Sequence, residues 1–335
     1  MLVMSRVLVT TGARIHIGFL NLSLAHDRLY GGIGVGLDEP RTVVTGTPAD
    51  DVECDHPVAR DYAVRAVELL GVPGAAVTVE SAFPRHVGLG SGTQLAAAVL
   101  AAVGRAHGLN PDIRAAAPEL GRGGRSGVGV ATFESGGAVI DAGHPADRYT
   151  ADRPADGAWS VPGVAVRREL PESWRFLVVV PDADRGRSGD TEDASIRTVV
   201  ERADPETADR IAGVVARQLL PAIAAGSHER FGAAVRSIDR LNGTWYTDEQ
   251  GGVYRPPAGE VVAALEDDPA CHGPGQSSWG PCVYAVTHAD HADAARAAGR
   301  AALDNVGIDG TVSVVSARNT GAEVESVAGV RRRES

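Results

Sequence analysis

The sequence predicts an α+β protein of two domains, with helices laid against mostly antiparallel sheets. Three observations carry this expectation. At 335 residues the chain exceeds one ordinary core and suits two domains of roughly 100 to 200 residues each. In the second half the elements run strand, helix, helix, strand, helix, strand, the order of an α+β layer with helices on one face of its sheet. Between the halves, residues 144–165 are polar and rich in Asp, Pro and Gly, which makes them the best candidate boundary.

Taken in order, residues 3–10 (VMSRVLVT) and 41–47 (RTVVTGT) are strands rich in β-branched residues. The glycine-rich YGGIGVGLDEP between them reads as a turn beside a ligand or a tight hairpin. Residues 57–71 have helical spacing in Val58, Tyr62, Val64, Val67 and Leu70, ended by Gly71 and Pro73. AAVTVESA is a strand, a glycine loop and a helix over 93–107 follow, and DIRAAAPELG is a second helix. GRGGRSGVGVATFESGGAVIDAG then ends in a strand. The second half opens with the buried strand WRFLVVVP and an extended polar segment, DADRGRSGDTED. Helices over 205–225, 228–241 and 258–267 lead to GQSSWGPCVYAVT as loop and strand, DHADAARAAGRAAL as helix and TVSVVSA as the last strand.

Composition excludes several functions. A hydrophobic share of 44% fits a globular chain, and no apolar run approaches the roughly 20 residues needed to cross a bilayer. The start has no basic region ahead of an apolar one, so it reads as a first strand and not a signal peptide. Three scattered cysteines, Cys54, Cys271 and Cys282, argue for a reducing cytoplasm over a disulfide framework. A net charge of −11 argues against nucleic-acid binding, and the RRRES tail reads as a solvated end. All 32 basic residues are arginine. A lysine-free chain has no Walker A lysine, no protein-kinase strand lysine, no pyridoxal-phosphate Schiff base and no lysine base.

Five segments could carry chemistry. HVGLGSGTQLA runs a glycine-rich turn into an apolar helix. Such a turn presents unpaired N–H groups and the positive end of the helix dipole, so it holds phosphate without a cationic side chain. Gly88, Gly90 and Gly92 permit close approach on either side of Leu89, and Ser91 and Thr93 add hydroxyls for phosphate or Mg²⁺. The same pattern suits an ordinary strand-to-helix turn with a hydroxyl cap. GRGGRSGVGVATFESGGAVIDAG sets Arg122 and Arg125 among glycines, either to clamp a phosphate or carboxylate or to stay solvated. Its Glu134 and Asp141 read either as Mg²⁺ ligands or as a helix cap and a strand-end acid.

In TTGARIHIGFLNL the strand period puts Arg14 and His16 on one face and Ile15 and Ile17 on the other, so the polar face meets a wet cleft or the surface. GQSSWGPCVYAVT places Ser277, Ser278 and Trp279 before a strand, as a loop pressing on the first loop's ligand or as plain packing. PDADRGRSGDTED concentrates carboxylates and arginines after a buried strand, as a ligand loop or a mobile acidic one. A Cys/His metal site is not expected: Cys271, His272 and Cys282 lack paired zinc spacing, and His86, His107, His288 and His291 form no HExxH. The GSG run is not a nucleophile elbow.

Together these motifs resemble one family. PRHVGLGSGTQLA resembles the P-x-x-x-G-L-G-S-S/G phosphate loop of the GHMP superfamily of galactokinase, homoserine, mevalonate and phosphomevalonate kinases. TTGARIHIGF resembles its first motif and GQSSWGPCVYAV stands in the place of its third, so the resemblance spans nearly the whole chain. It implies a ribosomal protein S5 domain 2-like domain over residues 1–160, a ferredoxin-like domain over 161–335, and a ligand in the cleft between them. It also implies a homodimer and small-molecule substrates. The kinases carry an aspartate in an S-G-x-D arrangement that acts on the substrate hydroxyl. Here RSGVGVATFESGG puts Gly129 in that place, and the lysine that accompanies it is impossible.

PDADRGRSG, GRGGRSGVGVATFESGG and above all GQSSWGPCVYA are similar instead to the β-ribofuranosylaminobenzene 5'-phosphate synthases of this superfamily. That resemblance implies condensation of 4-aminobenzoate, or 4-hydroxybenzoate, with phosphoribosyl pyrophosphate (PRPP), releasing CO₂ and pyrophosphate in the first step of methanopterin synthesis, with Mg²⁺. By motif position, it places Arg14, Arg125, Glu134 and Asp141 in catalysis and Gly88, Leu89, Gly90, Ser91, Gly92, Thr93, Arg122, Ser277 and Ser278 on PRPP. His16 and Trp279 fall to the aromatic substrate, and Ser91 and Glu134 to the metal. Two other readings stay open: a kinase acting on an acid such as pantoate with Asp141 or Asp184 as its base, and a binding protein that keeps the cleft without the chemistry.

Overall fold

The computed structural model describes residues 6–150, 152–184 and 190–327. The first residues of the strand expected over 3–10, positions 185–189 of the polar segment and the RRRES tail lie outside them. The strands are β1 (Arg6–Asn21), β2 (Arg28–Pro48), β3 (Val52–Glu53), β4 (Ala75–Ser81), β5 (Ala138–Asp141) and β6 (His144–Pro145). After them come β7 (Val164–Arg168), β8 (Trp174–Pro181), β9 (His272–Gln276), β10 (Val283–His288), β11 (Gly310–Ser316) and β12 (Glu323–Val327). The helices are α1 (Pro57–Leu70), α2 (Ser91–Ala106), α3 (Ile113–Ala116), α4 (Val128–Ser135) and α5 (Asp190–Arg202). They continue with α6 (Pro205–Val214), α7 (Leu220–Ala224), α8 (His228–Trp245), α9 (Thr247–Gln250), α10 (Ala258–Leu265) and α11 (Ala292–Val306).

Two sheets organise the molecule. The first has eight strands, with the order β12-β1-β2-β4-β3, with β5 and β6 also paired to β2 and with β7 paired to β5. The second has four strands in the order β11-β8-β10-β9, all antiparallel. That order, with α10 before β9 and α11 before β11, is ferredoxin-like. Both β7 and β12 lie past residue 160 in sequence yet belong to the first sheet.

β8 shows by its period of two that helices cover both faces of the second sheet, not one. Its Trp174, Phe176 and Val178 pack with Ile196, Ile211 and Phe231 from α5, α6 and α8, and with Ile15 and Val35 of the first sheet. The alternate residues Leu177 and Val179 pack with Val261, Leu265 and Leu303 from α10 and α11. One continuous core therefore joins the two sheets, while a separate core lies under α1 and α2.

Elsewhere the sequence misjudged a few stretches. YGGIGVGLDEP is not a turn but the middle of β2. Its glycines are there for approach: a Cβ on Gly34 would stand 2.5 Å from the Ile15 carbonyl oxygen and 2.6 Å from Val128 of α4. VGVATFES, to which the sequence assigned no element, is α4, whose Val128, Val130, Ala131 and Phe133 are buried. The polar segment after β8 gives way to α5 at Asp190. DIRAAAPELG is a single short α-helical turn followed by a 3₁₀ turn.

Candidate functional site

A cleft of about 770 Å³ opens where the glycine loop, the first sheet and the Ser277–Gly280 turn converge. Its floor comes from β1. Ile15 and Ile17 turn into the core at 0% and 2% exposure, and Arg14 and His16 turn to the cleft, as the strand period requires. Its back wall is the loop Gly88–Thr93. Gly90 caps α2 in the left-handed region at φ 82°, and α2 is buried at 13 of its 16 positions, so the core fixes the direction of its N-terminus. Gly88, Gly90, Ser91, Gly92 and Thr93 line the cleft, whereas the Leu89 side chain belongs to the core.

Two motifs far apart in sequence meet here. Ser277 Oγ donates to the Gly88 carbonyl at 2.7 Å and accepts the His16 N–H at 3.0 Å. Ser278 N donates to His16 O at 3.1 Å, and Cys282 N to Val87 O at 3.1 Å. The serine turn thus presses on the glycine loop itself. Ser277, fully buried and saturated by these bonds, fastens the loop and does not face a phosphate. Arg14 acts in the same place: its N–H donates to Leu89 O at 3.0 Å and its guanidinium to Gly88 O at 2.5 Å.

The cleft is rich in arginine. Among the described residues, Arg14, Arg65, Arg85, Arg122, Arg125, Arg148, Arg153 and Arg197 line it against Asp61, Asp152 and Asp156, in a protein of net charge −11. Arg122 lies across the start of α2, where a Cβ on Gly92 would stand 2.9 Å from its guanidinium. Tyr62 of α1 holds it through a hydroxyl contact and through its ring, 5.4 Å away. The Nε donors of Arg85 and Arg122 and the Tyr149 hydroxyl are buried without hydrogen-bond partners. Donors left in this state at a helix N-terminus suit an anion.

The acids fall elsewhere. Glu134 leaves the cleft and accepts from Arg114 at 2.5 and 3.1 Å, so it is neither a metal ligand beside Ser91 nor a catalytic group in the cleft. Asp141 is fully buried behind the cleft wall and accepts from Gly127 N at 2.7 Å, Gly143 N at 2.9 Å and Ser126 Oγ at 3.1 Å. Burial pushes its carboxyl up against the pull of those amides. It cannot reach a substrate, and its work is to fix the Ser126 turn. Asp184 is exposed three residues past the end of β8 and does not line the cleft.

His16 Nε2 lies 3.2 Å from Ser126 Oγ. Burial, reinforced by Arg14 and Arg125, pulls its pKa down to about 3, so the ring is neutral at working pH. Phe19 packs edge-on to it at 5.0 Å, Tyr30 lies 5.7 Å from Phe19, and Trp279 meets Tyr246 at 4.7 Å. These rings form an aromatic end to the cleft beside Ser278. Gly129 sits against the loop: a Cβ there would lie 3.1 Å from the Thr93 side chain, a tight contact, and glycine offers no side chain where the kinases carry an aspartate.

Sequence reasoning missed Arg65, Arg85, Arg148, Arg153, Arg197, Tyr30 and Tyr62. For the boundary segment a signal existed, since Arg148, Arg153 and Trp159 are chemically rich residues among prolines and aspartates. Solvated linkers share that composition, so only the structure separates the two.

Comparison with known proteins agrees with this geometry. The family model described as GHMP kinases N terminal domain matches residues 61–137, and that described as GHMP kinases C terminal matches 219–305. A beta-ribofuranosylphenol 5'-phosphate synthase of Methanothermobacter thermautotrophicus is 31% identical over 331 residues, covering 94% of this chain and 98% of that protein. Its namesake in Archaeoglobus fulgidus is 31% identical over 323 residues with the same coverage, and that of Methanocaldococcus jannaschii 24% over 343 residues, covering 95% and 100%. Among solved structures, homoserine kinase from Cytophaga hutchinsonii superposes with a TM-score of 0.70 at 19% identity, over 97% of this chain and 98% of that one. Mevalonate diphosphate decarboxylase from Staphylococcus aureus gives 0.64 at 15%, over 96% and 98%, and both share the fold. The chain belongs to the GHMP superfamily and, within it, to the β-ribofuranosylphenol 5'-phosphate synthase family.

Proposed function

We propose that the protein is a pentosyltransferase that joins C1 of the ribose of PRPP to the carboxylate-bearing ring carbon of a para-substituted benzoate. The C–C bond forms as the C1–pyrophosphate bond breaks, and the ring then sheds CO₂, whose bonding pair restores aromaticity. Attack opposite the leaving group converts the α configuration of PRPP to the β product. The observation that carries this reading is the arginine-lined cleft at the α2 N-terminus, with unpaired Nε donors at Arg85 and Arg122.

The chain's part is electrostatic. Backbone N–H groups of Ser91 and Gly92 at the start of α2 and the Arg122 guanidinium face the charge that grows on departing pyrophosphate, where fixed donors have most effect. A Mg²⁺ ion bound to that pyrophosphate would meet the Ser91 and Thr93 hydroxyls and add positive charge to the leaving group; carboxylates are not needed to cage it. Arg125 or Arg85 orients the second anionic group, and Trp279, Phe19 and Tyr30 pack on the acceptor ring. The para substituent pushes electrons into the ring and the ring loses CO₂, not a proton, so no protein base is required. Gly129 in place of a base agrees with that. Between acceptors, the word phenol in the three relatives' names supports 4-hydroxybenzoate over 4-aminobenzoate.

The test supplies PRPP, Mg²⁺ and carboxyl-labelled 4-hydroxybenzoate or 4-aminobenzoate, with ATP and pantoate as the kinase control. Labelled CO₂ is expected, faster from the hydroxy acid. ATP turnover without CO₂ release would overturn the reading. Arg122→Met, which keeps the stem and removes the charge, is expected to raise the KM for PRPP about 50-fold, as loss of a charge-assisted hydrogen bond does, and to leave the acceptor KM unchanged.

A further inference from the structure

Outside the cleft, the second sheet carries a cluster of histidines. His272 opens β9, His228 opens α8 and His288 ends β10. The His228 ring lies 5.2 Å from that of His272 and 5.3 Å from that of His288, centroid to centroid. Glu229 adds an exposed carboxylate beside them. One ligand atom each from His228, Glu229 and His272 lie within 4.8 Å of one another. None of these residues lines the cleft, and the proposed reaction uses none of them.

We propose that His228, Glu229 and His272 bind a divalent transition ion of the Zn²⁺ class that clamps the start of α8 to β9. Two imidazoles and a carboxylate are a borderline donor set, suited to Zn²⁺, Co²⁺ or Ni²⁺ and unsuited to Mg²⁺, which takes oxygen ligands in an octahedron. Zinc bonds to such atoms at roughly 2.0–2.2 Å, so tetrahedral ligand atoms stand roughly 3.3 Å apart. The three need to close by no more than about 1.5 Å, within reach of a rotating imidazole and an exposed glutamate. Trp174, edge-on to His228 at 6.5 Å, packs against the ring from the core side.

The position gives the ion a structural role. At the clamp, α8 and β9 already touch backbone to backbone: a Cβ on Gly232 would stand 2.8 Å from the His272 carbonyl carbon. β9 runs on into the turn that carries Ser277 and Trp279, and α8 carries Asn242, which accepts the Phe19 N–H at 2.7 Å. An ion here stiffens two elements that shape the aromatic end of the cleft without touching substrate. Spacing along the sequence gave no sign of it because His228 and His272 come from different elements, and the expectation of no histidine metal site rested on spacing alone.

The test strips the full chain with chelator and titrates it with Zn²⁺ by calorimetry, following the melting temperature alongside. One Zn²⁺ per chain, a raised melting temperature reversed by chelator, and no rise with Mg²⁺ are expected. His272→Ala and Glu229→Gln should each weaken Zn²⁺ binding more than about tenfold, beyond a small outer-shell effect, and His26→Ala should not. Should His272→Ala fail to fold, the intense visible bands of tetrahedral Co²⁺ in the wild-type chain, lost in the surface variant Glu229→Gln, decide the point. Absence of stoichiometric uptake, or uptake undiminished in both variants, would overturn the proposal.

Discussion

Tyr30, His86 and Ser278 hold left-handed backbone angles of φ 71°, 63° and 57°, and all three line the cleft. Such conformations are strained for side-chain-bearing residues and persist where surrounding structure imposes them, which is common at ligand sites. His16 shows the same trade in electrostatic form. Its folded pKa of about 3 lies below the ordinary 6.5, so between those values the unfolded chain takes up a proton that the folded one refuses. The stability His16 contributes is therefore complete above pH 6.5 and lost as pH falls toward 3. From pH 7 to pH 5 this one group is expected to cost about 2 kcal/mol. Urea melts at the two pH values check it: His16→Gln should show a correspondingly shallower loss, and an equal loss in both proteins would refute the assignment.

At the scale of elements, the junction between the glycine loop and the Ser277 turn decides whether the phosphate end and the aromatic end of the cleft move together. Gly88 sits at φ 99° with the Ser277 carbonyl oxygen 2.3 Å from where a Cβ would be. Gly88→Ala is thus expected to destabilise by more than about 2 kcal/mol and to abolish activity, since both backbone strain and a clash with main chain must be relieved. Gly71, which ends α1 at φ 64° with open space around it, serves as the contrast. There alanine should cost about 1 kcal/mol from backbone conformation alone and leave kcat/KM unchanged. Denaturant midpoints and steady-state kinetics on the pair separate the two. The helix-forming half of this architecture was readable: α1, α2, α8, α10 and α11 lie within a few residues of where periodicity puts them. The β2 glycines were not, because glycine normally weakens a strand, and only the close approach of Ile15 and Val128 explains their use there.

For the whole molecule, the core that joins the two sheets makes them one cooperative unit as far as the buried thiols are concerned. Cys271 and Cys282 lie in different cores, and burial pushes each thiol up to about 12. Both are expected to resist iodoacetamide at pH 8 in the native state and to react together, at a rate that follows global unfolding. Labelling of one cysteine well ahead of the other would show that the second sheet opens by itself. No helix among the described residues is long and apolar enough to cross a membrane.

By itself the sequence determined the glycine loop, the polar face of β1 and the absence of lysine chemistry, because each depends on residue identity and local period. From these, with the distant SSWGP run, the resemblance and the fold class followed. Tertiary structure decided which charges converge. Arg65, Arg85, Arg197 and the boundary pair Arg148 and Arg153 come from four stretches of chain, and nothing along the chain joins those stretches into a set. It also removed Glu134 to Arg114, sealed Asp141 behind backbone amides and bound Ser277, expected on PRPP, to the glycine loop instead. The physical reason is the same in each case. A charged or hydroxyl side chain takes whichever partner packing brings within about 3 Å, and that distance is not encoded in spacing along the chain.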